Sequence, residues 1–253
     1  MSVTIKTVSS RKDFKTFARF ANKLYKGNKY YVPSMPMDDL STFSKEKNAA
    51  FEFSEAEFYL AYKDGEVAGR VAAIINHKAN DAWKVKQVRF GWIDFIDDLE
   101  VSAALLDAVI EFGRKAGMTQ IVGPLGFTDF DPEGMLVEGY DRLGTMALIY
   151  NHPYYPEHMK KHGYYKETGW LEYRITIPEM VSERHKRIAE AVMDRYGLTI
   201  KKKTRSQIKK ERYGQKLFKL INETYCVLYG YSLLSEKQID QYVGLYLSLI
   251  DTD

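Results

Sequence analysis

Phe58-Tyr59-Leu60-Ala61-Tyr62-Lys63-Asp64-Gly65-Glu66-Val67-Ala68-Gly69-Arg70-Val71-Ala72-Ala73-Ile74-Ile75 is the stretch that decides the fold. Two β-type runs flank Asp64-Gly65, and that dipeptide predicts a hairpin because glycine accepts the positive φ of a tight turn. The run Val88-Arg89-Phe90-Gly91-Trp92-Ile93-Asp94-Phe95-Ile96 predicts the next strand of the same antiparallel sheet. Asp97-Asp98-Leu99-Glu100 then opens an amphipathic helix through Val101, Leu105, Ala108, Val109 and Phe112, which ends at Lys115-Ala116-Gly117. Thr119-Gln120-Ile121-Val122-Gly123-Pro124 is the strand that helix crosses over to, so the flanking strands are expected to be parallel.

Working outward, Val3-Thr4-Ile5-Lys6-Thr7-Val8 reads as a short strand. Phe14, Phe17, Ala18, Ala21, Leu24 and Tyr25 form one helical stripe that stops at Gly27. Residues 28–48, rich in Tyr, Pro, Met and Asp, read as an ordered loop or a broken second helix. Residues 125–143 have no clean period and many Gly, Asp and Pro, the mark of a long loop beside a site. A short helix is expected at 154–161 and strands within 164–177, followed by helices at 183–195, 214–228 and 235–250. The fold class is therefore α/β (α+β): a mixed, mostly antiparallel sheet flanked by helices over residues 1–177, then a helical segment over 178–253.

Leu198-Thr199-Ile200-Lys201 and the stripe Leu217, Phe218, Leu220, Ile221, Tyr225 repeat the order of the first strand and helix. This is either a partial second copy or coincidence. One strand and two helices have too little interior to bury their own stripes. Residues 214–250 are thus expected to be covered by the first domain, by a partner chain such as a homodimer mate, or by a missing C-terminal half.

With 45% hydrophobic and 28% charged residues, the 253-residue chain has the composition of a folded globular protein. Its single cysteine, Cys226, can form neither an internal disulfide nor a metal knuckle. The start lacks the apolar run of a signal peptide, and no stretch approaches the roughly 18 apolar residues of a membrane span. A soluble, cytoplasmic protein with no membrane partner is expected. A net charge of +3 is too balanced to announce nucleic acid. The basic block Lys201-Lys202-Lys203-Thr204-Arg205 with Lys209, Lys210 and Arg212 is either a solvated surface or a phosphate-contacting patch.

The order strand, helix, loop, hairpin, strand, helix, strand, helix resembles the GNAT N-acetyltransferase fold over residues 3–177. The residues that carry the resemblance are Gly69-Arg70 on the hairpin, the helix at 97–117, and Tyr150-Asn151 through Lys161-His162-Gly163-Tyr164. Leu24-Tyr25-Lys26-Gly27, Tyr31-Val32-Pro33 and Tyr150-Asn151-His152-Pro153-Tyr154-Tyr155 resemble, more narrowly, a group of uncharacterised bacterial GNAT-like proteins. The resemblance implies transfer from acetyl-CoA or another acyl-CoA to a small-molecule or protein amine, with no metal. It implies donor contacts from Ile96, Asp97, Asp98 and Leu99 at the crossover helix and from Asn151.

The crossover turn departs from the family pattern. Where acyl-CoA users carry an Arg/Gln-x-x-Gly-x-Gly/Ala turn whose bare amides receive pyrophosphate, this chain has Asp97-Asp98-Leu99-Glu100-Val101-Ser102-Ala103. Asp97 with Glu100 reads as a capping box that occupies those amides. Two like charges about 4 Å apart repel by about 4 kcal/mol at an effective dielectric near 20. The alternative reading is therefore a GNAT-like scaffold, without catalysis, that binds another small ligand or a protein. For a catalytic acid, counting back from Gly163 gives Met159 and counting forward from Asn151 gives His158. Tyr154 and Tyr155 lie one turn earlier and read as inward acids or as packing. Asp94 reads as a base beside the amine or as a solvent-facing strand residue. Asp129, Asp131 and Glu133 are a weak candidate cation set.

Overall fold

The computed structural model describes residues 2–145 and 148–249. The strands are β1 (Thr4–Thr7), β2 (Ser54–Lys63), β3 (Glu66–Asn76), β4 (Gln87–Phe95) and β5 (Gln120–Val122). The helices are α1 (Arg11–Leu24), α2 (Pro36–Thr42), α3 (His77–Trp83), α4 (Leu99–Lys115), α5 (Tyr154–Lys161), α6 (Glu183–Tyr196), α7 (Arg205–Lys210), α8 (Tyr213–Tyr225) and α9 (Glu236–Leu249). One five-stranded sheet has the order β1-β2-β3-β4-β5, antiparallel through β4 and parallel between β4 and β5.

Asp64 and Gly65 both have positive φ, 54° and 82°, so the turn that joins β2 to β3 is the one their chemistry dictates. Period-two alternation then sends the two hairpin faces to different helices. Tyr59, Ala61, Val71, Ala73 and Ile75 pack with Val101, Leu105, Leu106 and Val109 of α4, and Ala108 and Phe112 pack against the same cluster. Phe58, Leu60, Ala72 and Ile74 pack on the other face with Phe17 and Ala18 of α1 and with Phe43 and Trp92. The strand order and the crossover helix are those the GNAT resemblance implies.

Two features shape the end of β4. Arg70 pairs with Asp94 and Ala72 with Gly91, so Trp92 and Ile93 oppose the single residue Val71, and Trp92 takes a φ of 44°. This is a β-bulge, which re-aims the residues beyond it. In addition, β5 pairs with β4 at only three positions, Gln87, Val88 and Arg89. At Gly123 (φ 157°) a Cβ would lie 2.3 Å from Phe90 O, so only glycine lets the chain turn away there. Past Arg89 the outer edge of β4 has no strand beside it among the described residues.

Several expectations need correction. No strand forms among residues 164–177, where the side chains of Tyr165, Leu171, Tyr173, Ile175 and Ile177 are exposed. An alternating sequence needs a neighbouring strand to complete its ladder, and none lies beside this segment among the described residues. Residues 198–201 likewise form no strand. The α4 cap is Asp98, not Asp97: its Oδ1 accepts from Glu100 N at 2.9 Å and Val101 N at 3.3 Å. The helices expected at 183–195, 214–228 and 235–250 form as α6, α8 and α9, with Ile250 outside the described residues. Only part of the C-terminal stripe is buried. Phe218, Leu234, Ile239 and Val243 cluster with Phe130 packed against them, whereas Leu217, Leu220 and Tyr225 are exposed.

Candidate functional site

Arg70 interrupts the apolar run of β3 and is only 4% exposed, so its charge has to be met inside the protein. The bulge puts Asp94, 7% exposed, directly across the ladder. Arg70 Nε and Nη2 each lie 2.8 Å from Asp94 Oδ2, and Nη1 donates to Phe17 O at 2.7 Å. The other carboxylate oxygen, Oδ1, accepts from Tyr25 OH at 2.8 Å, and the Tyr25 and Tyr155 hydroxyls lie 2.8 Å apart. Burial raises the phenols of Tyr25 and Tyr155 well above their ordinary range, and the Asp94 charge adds to this, so both stay protonated.

Tyr155 OH also accepts from Phe95 N at 3.0 Å, while Tyr154 OH donates to Phe95 O at 2.6 Å. The neighbouring tyrosines of α5 thus satisfy the peptide groups of Phe95 that β5 leaves without a strand. A cavity of about 140 Å³ opens above this network. Tyr25, Tyr31, Asp39, Arg70, Asp94 and Tyr155 line it, together with Trp92, Tyr150 and Asn151.

The expected site residues divide accordingly. Asp94 and Tyr155 meet at the cavity floor, so the solvent-facing alternative for Asp94 is overturned. Tyr154 lies beside them with its hydroxyl committed to the backbone. His158 is buried and is not one of the residues that line the cavity. Its Nε2 is 2.9 Å from Asp97 Oδ1 and its Nδ1 is 2.9 Å from Ser102 Oγ, which also contacts His162 Nε2 at 2.8 Å. Ile96 N donates to Ala68 O, and Leu99 is partly exposed on the first turn of α4. Lys63 reaches both Asp98 and Glu100. Asn151 borders the cavity but spends its amide on the loop, accepting from Leu136 N at 2.7 Å and donating to Leu136 O at 3.0 Å. Among the described residues no group of three His, Cys, Asp or Glu side chains is placed to hold a metal ion, the 129–133 carboxylates included.

Sequence reasoning missed Tyr25, Tyr31 and Asp39 as site residues and read Arg70 only as a hairpin marker. A lone arginine in an otherwise apolar strand was the available signal. A second signal lies in the loops that follow α1 and α8. Tyr31 OH donates to Asn22 Oδ1 at 2.6 Å, and Asn22 Nδ2 donates to Ser34 O at 3.0 Å. Two hundred positions later, Tyr231 OH donates to Asn222 Oδ1 at 2.8 Å, and Asn222 Nδ2 donates to Leu234 O at 3.0 Å.

No family model matches the chain. It is 28% identical over 162 residues to protein YghO of Escherichia coli, covering 64% of this chain and 41% of that protein. It is 23% identical over 252 residues to the bacterial ceramide synthase of Caulobacter vibrioides, covering 96% of this chain and 63% of that protein. The chain thus spans less than two thirds of the length of these curated relatives. Among solved structures, an aminoglycoside acetyltransferase from an uncultured soil metagenomic sample, in complex with sisomicin, superposes with a TM-score of 0.40 at 8% identity, over 70% of this chain and 97% of that one. A tandem GNAT protein from the clavulanic acid biosynthesis pathway superposes with a TM-score of 0.36 at 13% identity, over 48% and 37%. The architecture, by its own strand order and crossover, is GNAT-like.

Proposed function

We propose that the chain is an N-acyltransferase that moves an acyl group from acyl-CoA to a primary amine, with a long-chain amino alcohol as the acceptor class. The observation that carries this reading is the buried Arg70–Asp94–Tyr25–Tyr155 network at the floor of a cavity beside the strandless end of β4. Thioester aminolysis needs a proton donor for the departing thiolate, and Tyr25 and Tyr155 are protonated hydroxyls that line the cavity. Tyr155 is that donor in this reading. Asp94, with both oxygens already bonded, orients the two tyrosines rather than taking a proton from substrate. The acceptor class is supported by the similarity to a ceramide synthase, since a ceramide is a long-chain amino alcohol acylated on nitrogen.

The acyl-transfer test is direct. The chain, a long-chain acyl-CoA and a long-chain 2-amino-1,3-diol should release CoA thiol in step with amide formation, and Tyr155→Phe should lower kcat roughly 10²–10⁴-fold. Thiol release that ignores the amine, or none at all, would overturn the reading.

One observation favours the second reading, a scaffold without acyl transfer. The first free amides of α4 are already bonded to Asp98, and Lys63 already neutralises that carboxylate. On that reading CoA leaves the melting temperature unmoved, whereas a ligand at about 100 times its Kd stabilises by about 2.7 kcal/mol.

A further inference from the structure

We propose that Asp39 is the residue that receives the acceptor's ammonium group, making the cavity selective for a cationic amine over a neutral alcohol of the same shape. This rests on the acyltransferase reading for its chemistry but on separate residues for its geometry.

Asp39 stands on α2 and lines the same cavity as Asp94 and Tyr155. The two carboxylates are in opposite situations. Asp94 has its charge met by Arg70 and its remaining oxygen met by Tyr25. The Asp39 carboxylate is half-buried, and among the described residues the hydrogen bond it accepts comes from Ser34 Oγ at 2.9 Å, with no cation in ion-pair contact. Burial raises its pKa, with Arg70 opposing the shift from a distance. A desolvated carboxylate without an ion-pair partner is a site for a cation.

The chain contains its own comparison for this position. The Asn-Tyr clamp recurs in the loop after α8 with the same two hydrogen bonds, so that loop conformation is formed twice. In the second loop the positions of Ser34 and Asp39 are taken by Leu234 and Ile239, 5% and 1% exposed, in an apolar cluster. The clamp therefore does not require the Ser34–Asp39 pair. A polar pair appears in the loop that borders the cavity, and an apolar pair in the loop that does not. The difference tracks the cavity and not the loop.

The transfer step follows. Asp39 holds the ammonium and takes one of its protons. The freed nitrogen lone pair forms the C–N bond at the thioester carbonyl carbon, and the C–S bond breaks with its electrons on sulfur. Tyr155 protonates the thiolate and regains a proton from the acylated nitrogen, and Asp39 returns its own to solvent.

The test is equilibrium binding to the intact chain, with a long-chain 2-amino-1,3-diol as probe and the corresponding triol, hydroxyl in place of amine, as its neutral control. Wild-type protein should prefer the amine, and Asp39→Asn should weaken amine binding roughly tenfold to a hundredfold while leaving the triol unchanged. Asp39→Glu should recover part of the loss, and Ser34→Ala, which leaves the carboxylate in place, should keep the amine preference. Equal amine binding by wild type and Asp39→Asn would overturn the proposal, as would absence of amine binding to wild type. Failure of acyl transfer alone, with selective amine binding intact, would count against the acyltransferase reading and leave Asp39 as an ammonium site.

Discussion

At the scale of single residues, the buried pair sets the energetics of the site. Removing one partner of a buried ion pair strands the other charge, at about 3–5 kcal/mol, whereas removing both can be close to neutral. Arg70→Met is therefore expected to destabilise by about that amount, and Arg70→Met with Asp94→Leu by much less, which urea denaturation of the two variants measures directly. A second residue-scale expectation concerns Asp131, whose pKa burial pushes up to about 6, with Asp129 at about 6 and Glu133 at about 7 beside it. A carboxyl whose folded pKa is raised binds its proton more tightly when folded. Its stabilisation is full below the unfolded value near 4 and is lost as pH rises through about 6. Urea midpoints at pH 4.5 and 7.5 should differ less in Asp131→Asn than in wild type.

At the scale of elements, local chemistry explains what could be read from the sequence. Asp64-Gly65 forms its turn and α4 buries Val101 and Leu105 because both signals are complete within a few residues. Asp94 was not legible in the same way, since the Trp92 bulge shifts the register and turns it inward. Residues 164–177 alternate like strands, but pairing depends on a neighbour that periodicity cannot supply. Asp39 stayed hidden because α2 is a seven-residue helix without a side-chain cap. The N-cap of α4 offers an element-scale test. Asp98→Gly should cost a few tenths of a kcal/mol, because glycine is itself an acceptable cap. By releasing two amides it should tighten CoA binding in calorimetric titration. Weaker binding at preserved fold would mean that Asp98 assists the donor.

At the scale of the whole molecule, α8, α9 and the loop between them are joined to the residues around the sheet by a handful of specific contacts. Tyr242 OH meets Thr128 Oγ1 at 2.9 Å, Trp83 Nε1 donates to Tyr231 O at 2.8 Å, and Arg89 Nη2 reaches Gly230 O at 3.2 Å. Ile239 is buried in this contact, so Ile239→Ala should cost about 2–5 kcal/mol of the local stability of α8 and α9. Limited proteolysis should cut first within 165–181, where extended backbone is exposed, and Ile239→Ala should speed later cuts in 211–249 far more than cuts in β2 or β3.

The grip of Tyr154 and Tyr155 on the Phe95 peptide has a consequence for how this sheet breathes. In an ordinary ladder an amide is released to solvent when its neighbouring strand lifts. The Phe95 amide hydrogen instead rests on a phenolic oxygen carried by α5, so its deuterium uptake should follow the opening of a helix and ignore the fraying of the strands. A single backbone position at the end of β4 thereby becomes a reporter of whether the cavity floor is assembled, readable by exchange in a chain with no ligand present.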